Sequence, residues 1–181
     1  FGVNAGNSIA SGGNYNVVVG DEAGTAISTG DANVAIGFEA LKTEDTGTSS
    51  TAIGFQALKN QDNNAANYNT AVGRSAGAAV TTGVQNTFVG GLAGDGTDDG
   101  SYNVAVGVGA LSANCGNSNT VVGTSSAGSC TGEANTVMGV NAGYSLTSGD
   151  NNLFLGKDAG RTGGPGGNIT TGSNEIVLGD E

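Results

Sequence analysis

The sequence predicts an all-β fold, a parallel β-solenoid or β-roll of about ten coils, each near 17 residues long. A short phrase that ends in glycine recurs along the chain, and this glycine returns at steps of 16 to 19 residues before a last step of 23. The closing glycines are Gly2, Gly20, Gly37, Gly54, Gly73, Gly90, Gly107, Gly123, Gly139, Gly156 and Gly179. Residues 1–181 are therefore predicted to form one repeat domain, with 157–181 as its last coil and lead-out.

Each coil is predicted to contain one short strand, because the three residues before the closing glycine are apolar or β-branched and too few for a helix. The third of these residues is apolar in every coil and is predicted to form the core: Val19, Ile36, Ile53, Val72, Val89, Val106, Val122, Met138, Leu155 and Leu178. The middle residue points to the opposite face and is also apolar throughout: Val18, Ala35, Ala52, Ala71, Phe88, Ala105, Val121, Val137, Phe154 and Val177.

A strand with two apolar faces needs two surfaces to pack against, whereas a thin coil offers only its own interior. We therefore predict that the middle column is an interface between copies of this chain, in a homotrimer or a filament. The alternative is a monomeric flattened roll, in which the polar loop of the same coil covers the second face.

Two further positions recur in front of each strand. A glycine such as Gly83 or Gly100 lies in a stretch rich in Ser, Thr, Asn and Asp, where it is expected to adopt the positive φ of a tight turn. An asparagine follows three residues later and is predicted to form a ladder between coils: Asn16, Asn33, Asn69, Asn86, Asn103, Asn119, Asn135 and Asn152. Ser50 and Glu175 occupy this position in two coils.

Composition excludes several functions. The net charge of −11, with five basic residues, leaves no basic stripe for nucleic acid, and no apolar run is long enough for membrane insertion. Histidine is absent, which removes Ser-His-Asp and Cys-His catalysis and imidazole metal sites. We therefore predict a protein that is not an enzyme and has no cofactor, no metal site and no catalytic residue.

Acidic residues cluster at Glu44 with Asp45, and at Asp95, Asp98 and Asp99. These acids are expected on solvated loops with no apolar neighbour to raise a pKa, which disfavours acid catalysis on glycans. The loop DGTDDG at 95–100 begins like a calcium-binding loop but lacks the distant bidentate acid. Weak calcium binding at the acidic loops is left open.

Phe38 and Phe55 occupy the same column of adjacent coils, and Arg74 follows them. The three are candidate ligand-binding residues, since stacked aromatic rings continued by a cation–π contact could hold a sugar; the alternative is that the rings pack under a neighbouring chain or loop. Three tyrosines that precede ladder asparagines are predicted to pack at coil corners: Tyr15, Tyr68 and Tyr102. Cys115 and Cys130 lie on successive coils, offset by about one residue, and are predicted to form a disulfide.

The phrases NTAVGRSAG, NVAIGFEAL, STAIGFQAL and NTVMGVNAG resemble the repeats of phage tail-fibre proteins, often found upstream of an endosialidase-type intramolecular chaperone. They are also similar to the head repeats of trimeric autotransporter adhesins, whose coils are somewhat shorter. The resemblance implies a left-handed parallel β-roll, three chains side by side about one axis, display outside a cell or on a virion, and a role in attachment.

The expected function is therefore a non-catalytic segment of an extracellular or virion fibre, which either binds a cell-surface glycan or protein receptor or acts as a spacer. A self-assembling extracellular filament subunit is the alternative. A glycan-cleaving fibre and an ice-binding solenoid are disfavoured. The ice-binding possibility requires a regular threonine array, and Val17, Val34, Val104 and Leu153 interrupt the column of Thr51, Thr70, Thr87, Thr120 and Thr136.

Overall fold

The computed structural model describes residues 1–161, 163 and 167–179, and within these ranges it contains strands and turns but no helix. Ten strands of three residues form one sheet. They are β1 (Val17–Val19), β2 (Val34–Ile36), β3 (Thr51–Ile53), β4 (Thr70–Val72), β5 (Thr87–Val89), β6 (Val104–Val106), β7 (Thr120–Val122), β8 (Thr136–Met138), β9 (Leu153–Leu155) and β10 (Ile176–Leu178). Every strand pairs in parallel with the next one along the chain, which confirms the predicted all-β solenoid.

The register of the sheet follows the sequence repeat. Ala71 of β4 lies beside Ala52 of β3 on one side and Phe88 of β5 on the other, so that each strand position forms a continuous column. Hydrogen bonds between coils continue beyond the strands: the Leu41 N–H, for example, donates to the carbonyl oxygen of Ala57. The repeat therefore stacks as one unit over its whole circumference.

The two faces of the strands are the reverse of the prediction. The middle column lies in the core, where Ala71 and Ala105 are fully buried. The third column points outward and is only half-buried at Val72 and exposed at Val89. The predictions that the third column forms the core and that the middle column forms an interface are both wrong.

Each coil closes its own core. In most coils an alanine three residues after the closing glycine and a larger residue seven after it also point inward, as Ala76 and Val80 do after Gly73. The coil of Gly107 buries Cys115, eight residues after the glycine, instead of the exposed Asn114. The accessible surface of the chain is 7449 Å² for 17.4 kDa, close to the roughly 7,900 Å² expected for a compact monomer of that mass. The inward side chains are buried within the single chain, so the interior is filled without a partner chain.

Large and small side chains alternate to fill this interior. Where the middle strand residue is Phe88, the residue six positions later is Gly94; where it is Ala105, that residue is Leu111. All four are fully buried or lie in the core region, and a Cβ at Gly94 would approach the Phe88 ring to 2.4 Å. In these two coils a change in one inward position is compensated by a change in another. The coil of Ala71 differs, because the residue six positions later is Gly77 and the space is filled by Phe88 and Leu58 of the neighbouring coils.

The recurring glycines are required for two different reasons. Gly90 closes a strand with φ of +134°, and a Cβ there would also lie 2.5 Å from the carbonyl oxygen of Gly107. Gly83 and its equivalents do not adopt positive φ, so the predicted tight-turn reason is wrong for them. A Cβ at Gly83 would instead lie 2.4 Å from the carbonyl oxygen of Gly100, because the backbones of neighbouring coils pass very close at this point.

Candidate functional site

The candidate functional surface is the outer sheet face, defined by the first and third residues of β1 to β10. The third residues are Val19, Ile36, Ile53, Val72, Val89, Val106, Val122, Met138, Leu155 and Leu178. The first residues are Val17, Val34, Thr51, Thr70, Thr87, Val104, Thr120, Thr136, Leu153 and Ile176. Neither column contains a charged residue, although the chain carries a net charge of −11. Nine steps of about 4.8 Å give this face a length of roughly 43 Å.

The outer sheet face is most exposed at its last strand, β10, whereas β1 is about as exposed as Met138 of β8 and Leu155 of β9. Val17 and Val19 are 46% and 40% exposed, and Ile176 and Leu178 are 74% and 63% exposed. Between them the residues are mostly half-buried by their neighbours in the adjacent strands. An uncharged face of this extent is suited to packing against another flat apolar surface.

Three tyrosine side chains that lie two residues before a strand are exposed to solvent. Tyr15, Tyr68 and Tyr102 are 88%, 60% and 54% exposed, so the prediction that they pack at coil corners is wrong. Each has left-handed φ, between 51° and 62°, and precedes an inward-pointing ladder residue.

The structure brings Phe38, Phe55 and Arg74 together in a row. The ring centroids of Phe38 and Phe55 lie 5.3 Å apart with an interplanar angle of 22°, and the Arg74 guanidinium carbon is 5.9 Å from the centre of the Phe55 ring. The two rings are 41% and 43% exposed. Because Phe38 and Arg74 occupy the two faces of Phe55, a ligand there could meet the ring edge and the guanidinium but not stack on the ring.

A charged cluster lies in the same coils. Lys42 Nζ contacts Glu22 at 2.5 Å and Glu39 at 2.7 Å, and Lys59 Nζ contacts Glu39 at 2.7 Å. Gln56 Nε2 also donates to Glu39 at 2.7 Å. Hydrogen bonds from Lys42, Lys59 and Gln56 lower the pKa of Glu39 to about 2. Lys42, Lys59 and Arg74 therefore lie in neighbouring coils, and they are three of the five basic residues of the protein.

The asparagines form two hydrogen bonds each to the following coil. The Asn86 side-chain oxygen accepts from the Asn103 backbone N–H at 2.9 Å, and its Nδ2 donates to the Gly100 carbonyl oxygen at 2.9 Å. Equivalent bonds are made by Asn16, Asn33, Asn69, Asn103, Asn119, Asn135 and Asn152. The carbonyl oxygen of the closely approached glycine is thus an acceptor in the ladder, which explains why the two positions recur together.

The sequence predicted that the clustered acidic residues lie on solvated loops. The structure shows that this is wrong for two of them. Glu44 is fully buried, and burial raises its pKa. Asp95 is half-buried with a raised pKa, again because of burial. Asp45 and Asp99 are exposed, and Asp98 accepts a hydrogen bond from Thr81. Glu44 and its neighbour Asp45 therefore lie on opposite sides of the coil wall and do not face a common substrate.

The acidic loop has a structural role at its centre. Thr97 is fully buried, and its hydroxyl lies 3.2 Å from the Cys115 sulfur, so that it points away from the loop surface where calcium would bind. In the described part of the chain, no group of three or more His, Cys, Asp or Glu residues is placed to hold a metal ion.

Cys115 and Cys130 are free, buried thiols, in contrast to the predicted disulfide. Each sulfur has its own polar neighbour: the Thr97 hydroxyl for Cys115, and Asn135 Nδ2, 3.6 Å away, for Cys130. Burial raises the pKa of both thiols, that of Cys130 to about 11. The Gly116 N–H donates to the Thr131 carbonyl oxygen, so the residues that precede them, Cys115 and Cys130, lie in the same column of successive coils.

No family model, curated protein or solved structure matches this chain. The resemblance to phage tail-fibre and adhesin-head repeats thus stays a prediction. Within the described residues, no helix has the length and hydrophobicity needed to cross a membrane.

Proposed function

We propose that this chain is a structural segment of an extracellular or virion fibre, in which three copies associate side by side through the outer sheet face. The observation that carries the proposal is the absence of charge from both columns of that face across ten strands, in a chain with a net charge of −11. A face without charge avoids the self-repulsion that a net charge of −11 imposes on association.

A fibre segment needs a stiff, elongated unit. The parallel ladder, the buried asparagine bonds and the close glycine contacts link each coil to the next over the whole array. Repetition of one unit gives length without a second domain, which suits a spacer between an anchoring part and a receptor-binding part of a fibre.

Attachment would use side chains outside the association face. The row of Phe38, Phe55 and Arg74 is exposed, and the Arg74 guanidinium has no carboxylate within salt-bridge distance among the described residues. A cell-surface glycan or protein with a carboxylate could pair with Arg74 while it contacts the ring edges. The repeat resemblance to phage fibres and adhesin heads supports this role.

The solution mass of the protein tests the proposal. We expect light scattering to give three times the chain mass of 17.4 kDa for the native protein. Val72→Asp with Val106→Asp should place charges in the association face and give a folded monomer. Ser129→Asp, on an exposed loop, is the matched control and should remain trimeric.

Two other results would contradict the proposal in different ways. A native monomer would show that the outer sheet face is not an association surface. A mass that grows without limit with concentration would instead favour the filament, since a side-by-side trimer is closed and a filament is open.

A further inference from the structure

Glu44 is a buried carboxylate at a coil position that is apolar in several other coils. It lies seven residues after a closing glycine, where three other coils place the apolar residues Ile27, Val80 and Leu146 and where the next coil places the buried, uncharged Gln61. Glu44 is fully buried there. An ionised carboxylate in a core is unfavourable unless neighbouring groups hydrogen-bond to it.

Glu44 is held by hydrogen-bond donors rather than by a cation. The Gly47 N–H donates to its Oε1 at 2.8 Å, while Gln61 Nε2 and Asn67 Nδ2 donate to its Oε2 at 2.7 Å and 2.9 Å. No lysine or arginine lies within salt-bridge distance of it among the described residues. The charge of the ionised form is therefore dispersed onto dipoles alone.

This cluster lies where the asparagine ladder is interrupted. Ser50 replaces the ladder asparagine, and the step that follows is 19 residues long. Gln61 spans the gap: its Nε2 donates to the Ser50 hydroxyl at 2.8 Å, and its Oε1 accepts from Asn69 Nδ2 at 2.7 Å. Glu44 in turn orients Gln61, so that the cluster joins the two regular parts of the ladder.

One atom of the cluster has no partner. Asn67 is fully buried, and its Oδ1 makes no hydrogen bond. A 180° rotation of this amide group would exchange the positions of Oδ1 and Nδ2. Oδ1 would then lie where Nδ2 now lies, 2.9 Å from Glu44 Oε2. Because Asn67 Oδ1 accepts no hydrogen bond, this rotation breaks only the hydrogen bond from Asn67 Nδ2 to Glu44. The protonated carboxyl of Glu44 replaces it by donating its own O–H to Asn67 Oδ1.

We propose that Glu44 and Asn67 form a buried proton-binding pair. On acidification Glu44 takes up a proton from solvent, and the Asn67 amide turns to accept the new O–H. The Gly47 and Gln61 bonds are kept in both states. Proton uptake removes a buried charge, so the neutral pair is the more stable arrangement of this segment.

The charges around the pair act in the same direction. Burial raises the pKa of Glu44, and Asp62 in the next coil raises it further. Asp45 adjoins Glu44 in its own coil, and the residues that face it from the preceding coil, Ile27 and Ser28, do not titrate. The folded chain therefore keeps this proton to a higher pH than the unfolded chain, whose Glu titrates near 4.5. Stability contributed here falls as the pH rises from 4.5 through the folded pKa.

The test is a pH titration of the native protein followed by NMR, with the glutamate carboxyl carbons labelled. We expect one carboxyl to titrate above pH 4.5 and to be missing from Glu44→Gln. The Asn67 side-chain amide signals should shift with the same midpoint. In Glu44→Gln, whose amide can donate to Asn67 Oδ1, they should stay at their acidic position at every pH.

Glu39→Gln is the matched control, because it makes the same change at a carboxylate that is paired with Lys42 and Lys59 and whose pKa is lowered to about 2. It should leave the Glu44 midpoint unchanged. The proposal is wrong if the Glu44 carboxyl titrates at or below 4.5, or if it titrates above that value while the Asn67 amide signals do not move. Both outcomes are read from the wild-type protein, so they remain decisive even if Glu44→Gln fails to fold.

Discussion

Ala71 and Val72 are neighbours in the same strand, yet they belong to different environments. Ala71 is fully buried in the coil, whereas Val72 is half-buried on the outer sheet face. Both columns are apolar along the chain, so hydrophobicity does not distinguish them. Side-chain size does: the inward column varies from alanine to phenylalanine and is compensated within the coil by residues such as Gly94 and Leu111. The outward column, which packs against no part of its own coil, has no such partner.

The largest effect is expected from placing a charge in each of these two columns. Ala71→Asp buries an ion in an interior with no donor prepared for it and should prevent folding. Val72→Asp extends into solvent in the single chain and should cost about 1 kcal/mol of the free energy of unfolding. Circular dichroism and urea unfolding of the two variants measure the difference.

Similar unfolding curves for the two variants would contradict this assignment of the faces. Dissociation is a separate readout: Val72→Asp should lose association while it keeps its β-sheet signal. Ala71→Asp should lose both together.

The sequence predicted the position of every strand but not which of its two faces points into the coil. The spacing of the closing glycines is a direct consequence of stacking equal coils, so ten strands could be placed to the residue. The inward and outward faces were assigned wrongly because the middle and third residues are both apolar. The threonine that begins β3, β4, β5, β7 and β8 shares a face with the third residue, so it was the signal in the sequence that marks the outside. The row of Phe38, Phe55 and Arg74 was predictable, since it needs only column register. The burial of Glu44 was not, because it depends on how an irregular coil closes around a missing asparagine.

A second pair of variants compares aromatic rings inside and outside the coil. Phe88 is fully buried, and Phe88→Ala should cost about 3–5 kcal/mol, since the ring fills the space left by Gly94 and Gly77. Phe55 is 43% exposed, and Phe55→Ala should cost no more than about 1.5 kcal/mol through its lost ring stacking. Urea unfolding at fixed protein concentration provides both values.

The rescue of Phe88→Ala sharpens this comparison. Adding Gly94→Leu recreates the combination of Ala105 with Leu111, and Leu111 already tolerates a φ of 54° at that position. The double variant should recover part of the lost stability. If it is less stable than Phe88→Ala alone, compensation within the coil is not what determines the size of the inward residues.

The smallest effect is expected from a pair of asparagines whose oxygens make the same kind of bond. Asn103 Oδ1 accepts from the Asn119 backbone N–H at 2.9 Å in the core, and Asn117 Oδ1 accepts from the Ser101 N–H at 2.8 Å on the surface. Asn103→Ala leaves buried groups of the next coil without partners and should cost about 1–3 kcal/mol. Asn117→Ala should change stability by no more than about 0.5 kcal/mol, because water replaces the lost acceptor. Hydrogen exchange measures the loss of each bond: the Asn119 amide should lose protection in Asn103→Ala, and the Ser101 amide should lose it in Asn117→Ala. If burial determines the strength of the ladder, the global stability falls only for Asn103→Ala. Equal losses of stability would mean that the ladder acts through its bonds alone, wherever they lie.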